Sequence, residues 1–346
     1  MKFSKSIKIA QRKISTNSPV FIIAEAGVNH GGDIEFAKKL IEIAVEAGAD
    51  AVKFQAFKTE HLILKNVGKA PYQKVTTSQS ESQFEMLKKL ELKKEQYKLL
   101  KDYCKKKKIL FLITPFDEAS LMELEEIGVE AYKIASTDTT NLPFLKKIAK
   151  TKKTILLSTG MCYMHEVEAA LKEIHQWNKN VVLLQCTANY PIKEGEANLN
   201  IITTYKNKFN VLVGFSDHSV GIGAAPYAVP MGAIVLEKHF TINKNSDGPD
   251  HLASLSPDEL KQFVRQVRLV EKYMGSFIKE PTRAEKNTRV SLQKCMVAVK
   301  KIKKGQIIRE NDIIAKRTGG KGISPINYKK VVGKKAKKNY NVNEII

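Results

Sequence analysis

The sequence predicts an α/β chain: a (β/α)₈ TIM barrel over residues 1–274, a linker over 275–293 and a small β-rich domain over 294–346. Three observations carry this. Eight short, apolar, β-branched runs recur along the first 240 residues, as strands buried on both faces do. Helical patterns fall between them, and parallel strands need such crossovers. After Met274 the periodicity stops and the chain turns polar, then basic.

The eight runs are Val20–Ala24, Ala51–Phe54, Ile109–Ile113, Ala131–Ile134, Thr154–Leu157, Val181–Leu184, Val211–Gly214 and Ile234–Leu236. The first helix is expected over Asp33–Ala47, with Asp33 as N-cap and Gly48 ending it. Others are expected over Lys93–Lys107, Asp117–Ile127, Leu142–Lys150, His165–Trp177, Leu199–Lys206 and Pro257–Met274. Pro226 and Pro230 keep any helix before the eighth run short or bent. The interval Ala56–Leu92 is too long for one crossover and reads as an inserted loop and short helix, a lid over the barrel mouth. Gly275–Arg289 is polar, holds Pro281 and lacks a clear period, which suits a linker. Lys294–Ile346 carries 15 Lys/Arg against 3 Asp/Glu, with short apolar pieces and turn glycines. So small a core is expected to lean on the barrel or on a second subunit.

Polar residues end all eight runs. In chain order they are Glu25, Asn29 and His30; Lys53 and Gln55; Thr114; Lys133 and Ser136; Ser158 and Thr159; Thr187, Asn189 and Tyr190; Asp217 and His218; and Lys238 and His239. Active sites of this fold sit at those C-terminal strand ends. His218 and His239 end neighbouring strands, and two imidazoles converging on a gap can hold a divalent metal. Each is equally readable alone as a hydrogen-bonded loop histidine. The lysines, with Thr114, Ser136, Ser158 and Thr159, suit a phosphate and a carboxylate in one compact ligand. A bland reading pairs some of those lysines with Glu25, Asp217 or Glu237. A lysine there can also form a Schiff base with a carbonyl substrate. A histidine-bound metal, polarising an aldehyde oxygen, argues for the other route. Glu25, a carboxylate beside cations, is the candidate general acid or base.

Composition narrows the classes. No run approaches the roughly 20 apolar residues of a membrane helix, and the basic N-terminus lacks the apolar core of a signal peptide. No CxxC occurs among Cys104, Cys162, Cys186 and Cys295, which are expected to be free thiols in a reducing cytoplasm. The net charge of +22 raises nucleic-acid binding as an alternative. Lysine far outnumbers arginine, the usual base-reading residue, and outside the C-terminal part the lysines are scattered, so no nucleic-acid partner is expected.

The segments FIIAEAGVNHGGD, ADAVKFQAFK, ITPFDEAS, YKIAS, LLSTGM, QCTANYP, GFSDHSVGI, LEKHFT and GPDHLASL, in this order, resemble the bacterial sialic acid (nonulosonate) synthase family. VAVKKIKKGQIIRENDIIAKR and GISP resemble that family's C-terminal antifreeze-like (SAF) domain. The resemblance runs from about residue 20 to the end. It implies a metal-dependent condensation of phosphoenolpyruvate with an N-acylated mannosamine-type sugar, the metal being Mn²⁺ or Mg²⁺ on His218 and His239. It further implies that Lys53, Lys133, Thr114, Ser136 and Ser158 hold phosphoenolpyruvate and that Glu25 is the acid/base. Tyr190 and Asp250 match sugar contacts, with Gln55 nearby. Arg317 matches an arginine that reaches the sugar N-acyl group from a partner subunit, implying a domain-swapped homodimer. Three departures bear on the sugar substituents. Ser136-Thr137-Asp138 stands where SGE is usual, Thr318 follows Arg317 in place of proline, and Asn189 lies one position beyond the usual asparagine. The candidate sugars are N-acetylmannosamine and 2,4-diacetamido-2,4,6-trideoxymannose; APYQ…ESQFEMLKKLEL and GPDH look more like the legionaminate-type branch.

Overall fold

The structure is a computed structural model; it describes residues 1–78 and 80–346, of Val75 and Thr76 the backbone alone. The described chain divides into two compact units, Met1–Gly275 and Ser276–Ile346.

The first unit opens with a hairpin that sequence reading missed, β1 (Ser6–Ile9) and β2 (Arg12–Ser15). Its alternation is only four residues long on each side, too short to stand out in a lysine-rich stretch. Eight parallel strands follow: β3 (Phe21–Gly27), β4 (Ala51–Ala56), β5 (Leu110–Pro115), β6 (Ala131–Ile134), β7 (Thr154–Ser158), β8 (Val181–Cys186), β9 (Leu212–Asp217) and β10 (Val235–His239). They form one sheet in the order β5-β4-β3-β10-β9-β8-β7-β6. β5 packs beside β6 and closes the ring. All eight expected runs are strands, most of them extended further into the polar ends.

Strand side chains alternate between the ring interior and the surrounding helices. Phe21, Ala51, Leu112, Ala131, Leu156, Val182, Leu184, Leu212 and Val235 form an interior apolar cluster. Ile7, Ile9 and Ile14 of the hairpin complete that cluster and seal the N-terminal end of the ring. The opposite faces of the strands, with Ile22, Val52, Ile113, Ile155, Leu183, Val213 and Leu236, join the helices in the main core.

The helices are Ile34–Glu46, Lys94–Lys107, Glu118–Ile127, Leu142–Lys150, Met164–Trp177, Asn200–Phe209 and Pro257–Met274. Asp33 caps the first by accepting from the Glu35 and Phe36 amides, and Ser256 and Glu259 make a capping box on the last. Between β9 and β10 the proline-bearing segment yields only Ala225–Ala228. The long interval after β4 contains Thr59–Leu62, Gln73–Thr76 and Gln83–Leu90; Gln79 of the expected lid lies outside the described residues. No described helix is long and apolar enough to cross a membrane.

In the second unit, β11 (Lys294–Ala298) pairs antiparallel with β12 (Ile313–Arg317) over a small core of Met296, Ala298, Ile302, Ile308, Val331, Ala336 and Tyr340. One expectation changes here: the stretch read as an aperiodic linker contains a helix, Arg283–Leu292, capped by Thr282 and Glu285. None of its residues is buried, so it presents no apolar period.

Candidate functional site

Continuing the inward alternation past the apolar cluster brings a different set of side chains to the C-terminal end of the ring. They are Glu25 of β3, Lys53 and Gln55 of β4, Thr114 of β5, Lys133 of β6, Ser158 of β7, Cys186 of β8, Ser216 of β9, and Glu237 and His239 of β10. All line a cavity of about 510 Å³, together with Ser136, Tyr190, His218 and Asp250 from the loops. Expected site residues from all eight strands or their following loops therefore converge. The inserted segment also contributes Leu62, Ile63, Ala70, Tyr72, Gln73, Gln83 and Leu87 to the same wall.

The floor of the cavity is a buried four-charge cluster. Lys53 Nζ lies 3.0 Å from Glu25 Oε1 and 3.6 Å from Glu237 Oε2, and Lys133 Nζ lies 3.6 Å from Glu237 Oε1. Ser216 Oγ donates to Glu237 Oε1 at 3.0 Å, and Gln55 Nε2 donates to Glu25 Oε1 at 3.2 Å. The two carboxylates part ways electrostatically. Burial pushes Glu25 up to about 7, more than Lys53 can offset, and Glu237 adds to the rise. Burial works against the charge of Glu237 too, but Lys133 and Lys53 outweigh it and hold that carboxyl below its ordinary range. Burial likewise opposes the charge of Lys53, yet Glu237 and Glu25 hold its ammonium above the usual value. Lys133 goes the other way, lowered by burial that Glu237 only partly offsets and to which Lys53 adds. A pair of carboxyls driven apart in this way divides the labour: Glu237 is the standing counter-ion and Glu25 the group that can gain or lose a proton near neutrality.

Three hydroxyls face the cluster with donating capacity to spare. Thr114 Oγ1 accepts from Lys53 Nζ at 3.0 Å, and Ser136 Oγ accepts from the Gly160 amide at 2.8 Å. Ser158 Oγ is buried without a hydrogen-bond partner among the described residues. An oxyanion brought here would meet two ammonium groups and three O–H donors. Gly160 is itself required, because a β-carbon there would stand 2.9 Å from Ser136 Oγ and from the Ala188 side chain.

His218 and His239 meet at the rim, their rings 5.5 Å apart. The Nδ1–H of His218 donates to the Thr187 carbonyl at 2.8 Å; burial opposes a charge on this ring, but Cys186 and that carbonyl outweigh it and raise its proton affinity, so Nε2 is an acceptor only in the neutral ring. His239 Nδ1 is buried with no hydrogen-bond partner among the described residues and lies 3.8 Å from Asp250 Oδ2. Burial, with His218, Lys53 and Lys133 nearby, drives the proton affinity of His239 far down, so this ring is neutral. No group of three or more His, Cys, Asp or Glu is arranged to hold a metal among the described residues. Two neutral-capable imidazoles with an orphaned ring nitrogen nevertheless fit a borderline divalent ion whose other positions come from water or ligand. Tyr190 stacks against His218 at 4.0 Å and meets His239 edge-on at 5.4 Å.

Several expected residues stand elsewhere. Lys238, read as a mouth lysine, points outward between the ring and the helices, where its Nζ lies 3.0 Å from Asp217 Oδ2 and donates to Ser219 O at 2.6 Å. Alternation explains this, since His239 and Glu237 point inward and the residue between them cannot. Asn189 is exposed and its amide donates to Pro191 O at 3.1 Å, so it does not line the cavity. Asp138 is buried, but its carboxylate accepts from Asn141 and Thr137 instead of facing the cavity. His30 turns back to accept from the Gly32 amide, and Asn29 donates to Phe240 O and Ser254 Oγ. Arg317 is exposed on β12 of the second unit. Glu237, Ser216 and Cys186 were not singled out as site residues. A period-two reading back from His239 and His218 exposes the first two.

A family profile described as the NeuB family matches residues 40–279, and one described as the SAF domain matches residues 293–346. The chain is 48% identical over 328 residues to the N,N'-diacetyllegionaminic acid synthase of Campylobacter jejuni, covering 94% of this chain and 98% of that protein. It is 43% identical to the protein of the same name from Legionella pneumophila, over 92% of this chain and 91% of that one. A crystal structure of the N-acetylneuraminic acid synthetase of Leptospira borgpetersenii, in complex with citrate, superposes with a TM-score of 0.74 at 37% identity, covering 84% of this chain and 98% of that one. Barrel, site and C-terminal unit thus agree in one assignment: the chain belongs to the NeuB family of synthases and carries a SAF domain.

Proposed function

We propose that the protein is a nonulosonic acid synthase. It condenses phosphoenolpyruvate with an N-acylated mannosamine-type sugar and water, releasing phosphate. The preferred sugar is 2,4-diacetamido-2,4,6-trideoxymannose, giving N,N'-diacetyllegionaminic acid, the product named for both bacterial relatives; N-acetylmannosamine is the competitor. The observation that carries the reading is the one cavity in which two lysines, three hydroxyls, two divergent carboxyls and two imidazoles converge.

Lys53 and Lys133, with Thr114, Ser136 and Ser158, bind the phosphate and carboxylate of phosphoenolpyruvate. C3 of that donor bonds to the aldehyde carbon of the open-chain sugar, and the aldehyde oxygen takes up a proton. Water adds its oxygen at C2 and loses a proton. The bond from C2 to the phosphate-ester oxygen then breaks, phosphate leaves with that oxygen and takes the remaining proton of the C2 hydroxyl, and a ketone is left at C2. Glu25, buried and titrating near neutrality, delivers or accepts the proton at the sugar oxygen. Tyr190, Gln55 and Asp250 orient the sugar. His218 and His239 hold a divalent ion, Mn²⁺ or Mg²⁺, which polarises the aldehyde oxygen when bound. The protein works as a domain-swapped homodimer in which Arg317 reaches the sugar of the partner's site.

The test is phosphate release from phosphoenolpyruvate with each sugar in turn, with Mn²⁺ and after chelation. No release with either sugar in Mn²⁺ rejects the proposal. A Schiff-base aldolase is the second reading, favoured by the lowered proton affinity of buried Lys133. Borohydride trapping of a lysine adduct in chelated enzyme would select it.

A further inference from the structure

Resting on the synthase reading, we infer that Gln73 and Gln83 form a specificity element for a second N-acyl group on the sugar. Both side chains line the cavity from the inserted segment, and Gln73 is 7% exposed. The orientation of the Gln73 amide is fixed by its partners. Its Oε1 accepts from the Ala70 backbone amide at 2.9 Å and from Gln83 Nε2 at 3.0 Å. Both lone pairs of that oxygen are used, so the Gln73 –NH₂, with two donors, faces the Tyr72 hydroxyl and the cavity. Gln83 uses one of its two N–H donors on Gln73, and its Oε1 accepts no hydrogen bond among the described residues. The linked pair therefore offers the cavity an N–H donor from Gln73 and a carbonyl acceptor from Gln83.

That is the complement of a secondary amide. An acetamido group presents its carbonyl to the Gln73 –NH₂ and its N–H to Gln83 Oε1. A hydroxyl in its place fills only one of the two bonds. Leu62, Ile63 and Leu87 line the same wall, and they suit the methyl of an acyl group and a 6-deoxy carbon better than a hydroxymethyl. The pair thus discriminates a 2,4-diacetamido sugar from one with a hydroxyl at C4. A site built to hydrogen-bond a substituent discriminates more strongly than an apolar one, because its buried polar groups are stranded by the wrong ligand.

The experiment measures kcat/KM for both sugars in the wild type, Gln73→Glu, Gln73→Ala and Gln83→Ala, with the KM of phosphoenolpyruvate recorded alongside. Gln73→Glu keeps the shape and the acceptor for Gln83 while exchanging the free donor for an acceptor, and circular dichroism checks each fold. The expected result is a fall of about 10- to 100-fold in the preference for the diacetamido sugar, strongest in Gln73→Glu, with little change in the phosphoenolpyruvate KM. Equal losses for both sugars, or no loss, overturn the specificity role and leave the synthase reading standing. A wild type that uses N-acetylmannosamine but not the diacetamido sugar also overturns it. Silence with both sugars overturns both readings.

Discussion

Replacing Lys238 with methionine should cost stability while leaving the floor of the cavity intact. Lys238 and Asp217 are fully buried and form an ion pair at 3.0 Å outside the ring. Removing one partner of such a pair typically costs about 3–5 kcal/mol, because a buried charge is left uncompensated. Here Asp217 keeps other donors: the Ser219 amide at 2.9 Å, Ser219 Oγ at 2.6 Å and the Ala225 amide at 3.0 Å. That places the loss at the lower end, about 3 kcal/mol, or about 6–12 °C in the melting temperature. The site is crowded, since a β-carbon at Gly223 would stand 2.9 Å from the lysine Nζ, so water has little room to replace the ammonium. Adding Asp217→Asn to Lys238→Met should recover much of the loss, as neutralising both partners removes the stranded charge. Thermal unfolding by calorimetry and phosphoenolpyruvate binding by titration are the assays. If Lys238→Met melted with the parent and instead bound phosphoenolpyruvate poorly, the inward–outward assignment of β10 would be wrong.

Glu25 provides a pH test. Its carboxyl is raised from 4.5 to about 7 in the folded chain, so the folded state holds the proton more tightly than the unfolded state. The associated stabilisation, on the order of 3 kcal/mol, is complete below about pH 4.5 and is lost as pH rises through about 7. Glu25→Gln should flatten stability across that window, and an unchanged slope would remove Glu25 as the titrating group. His239→Ala should abolish metal-dependent turnover and weaken Mn²⁺ binding measured directly, with the melting temperature kept within a few degrees; undiminished Mn²⁺ affinity would count against the imidazole pair. Arg317→Ala should raise the KM for the sugar more than that for phosphoenolpyruvate, and equal rises would deny it contact with the sugar.

Much of the fold was legible because eight runs of Val, Ile and Leu with helical patterns between them leave few other architectures. The site was legible at Glu25, Lys53, Lys133, Ser158, His218 and His239 because each directly ends or follows an apolar run. Lys238 misled because type was read without direction. One residue from His239 means the opposite face of the strand. Asn189 and Asp138 misled differently: both sit in loops, where the period gives no direction and short polar side chains bond their own backbone turns and neighbours. Gln73 and Gln83 fall inside APYQ…ESQFEMLKKLEL, yet nothing in that stretch singles out these two side chains, because the bond between them spans ten residues of inserted chain. The hairpin before residue 20 was silent, since only Ile7, Ile9 and Ile14 betray it and their partners lie on the eight barrel strands.

That hairpin has a consequence for traffic. With three isoleucines corking one end of the ring, the described residues leave the cavity to be reached from the opposite, C-terminal ends of the strands. On the proposed reading, a three-carbon anion seated on the lysines at its floor would lie beneath a sugar at the rim. Donor would then load before acceptor, and phosphate would leave after the larger product.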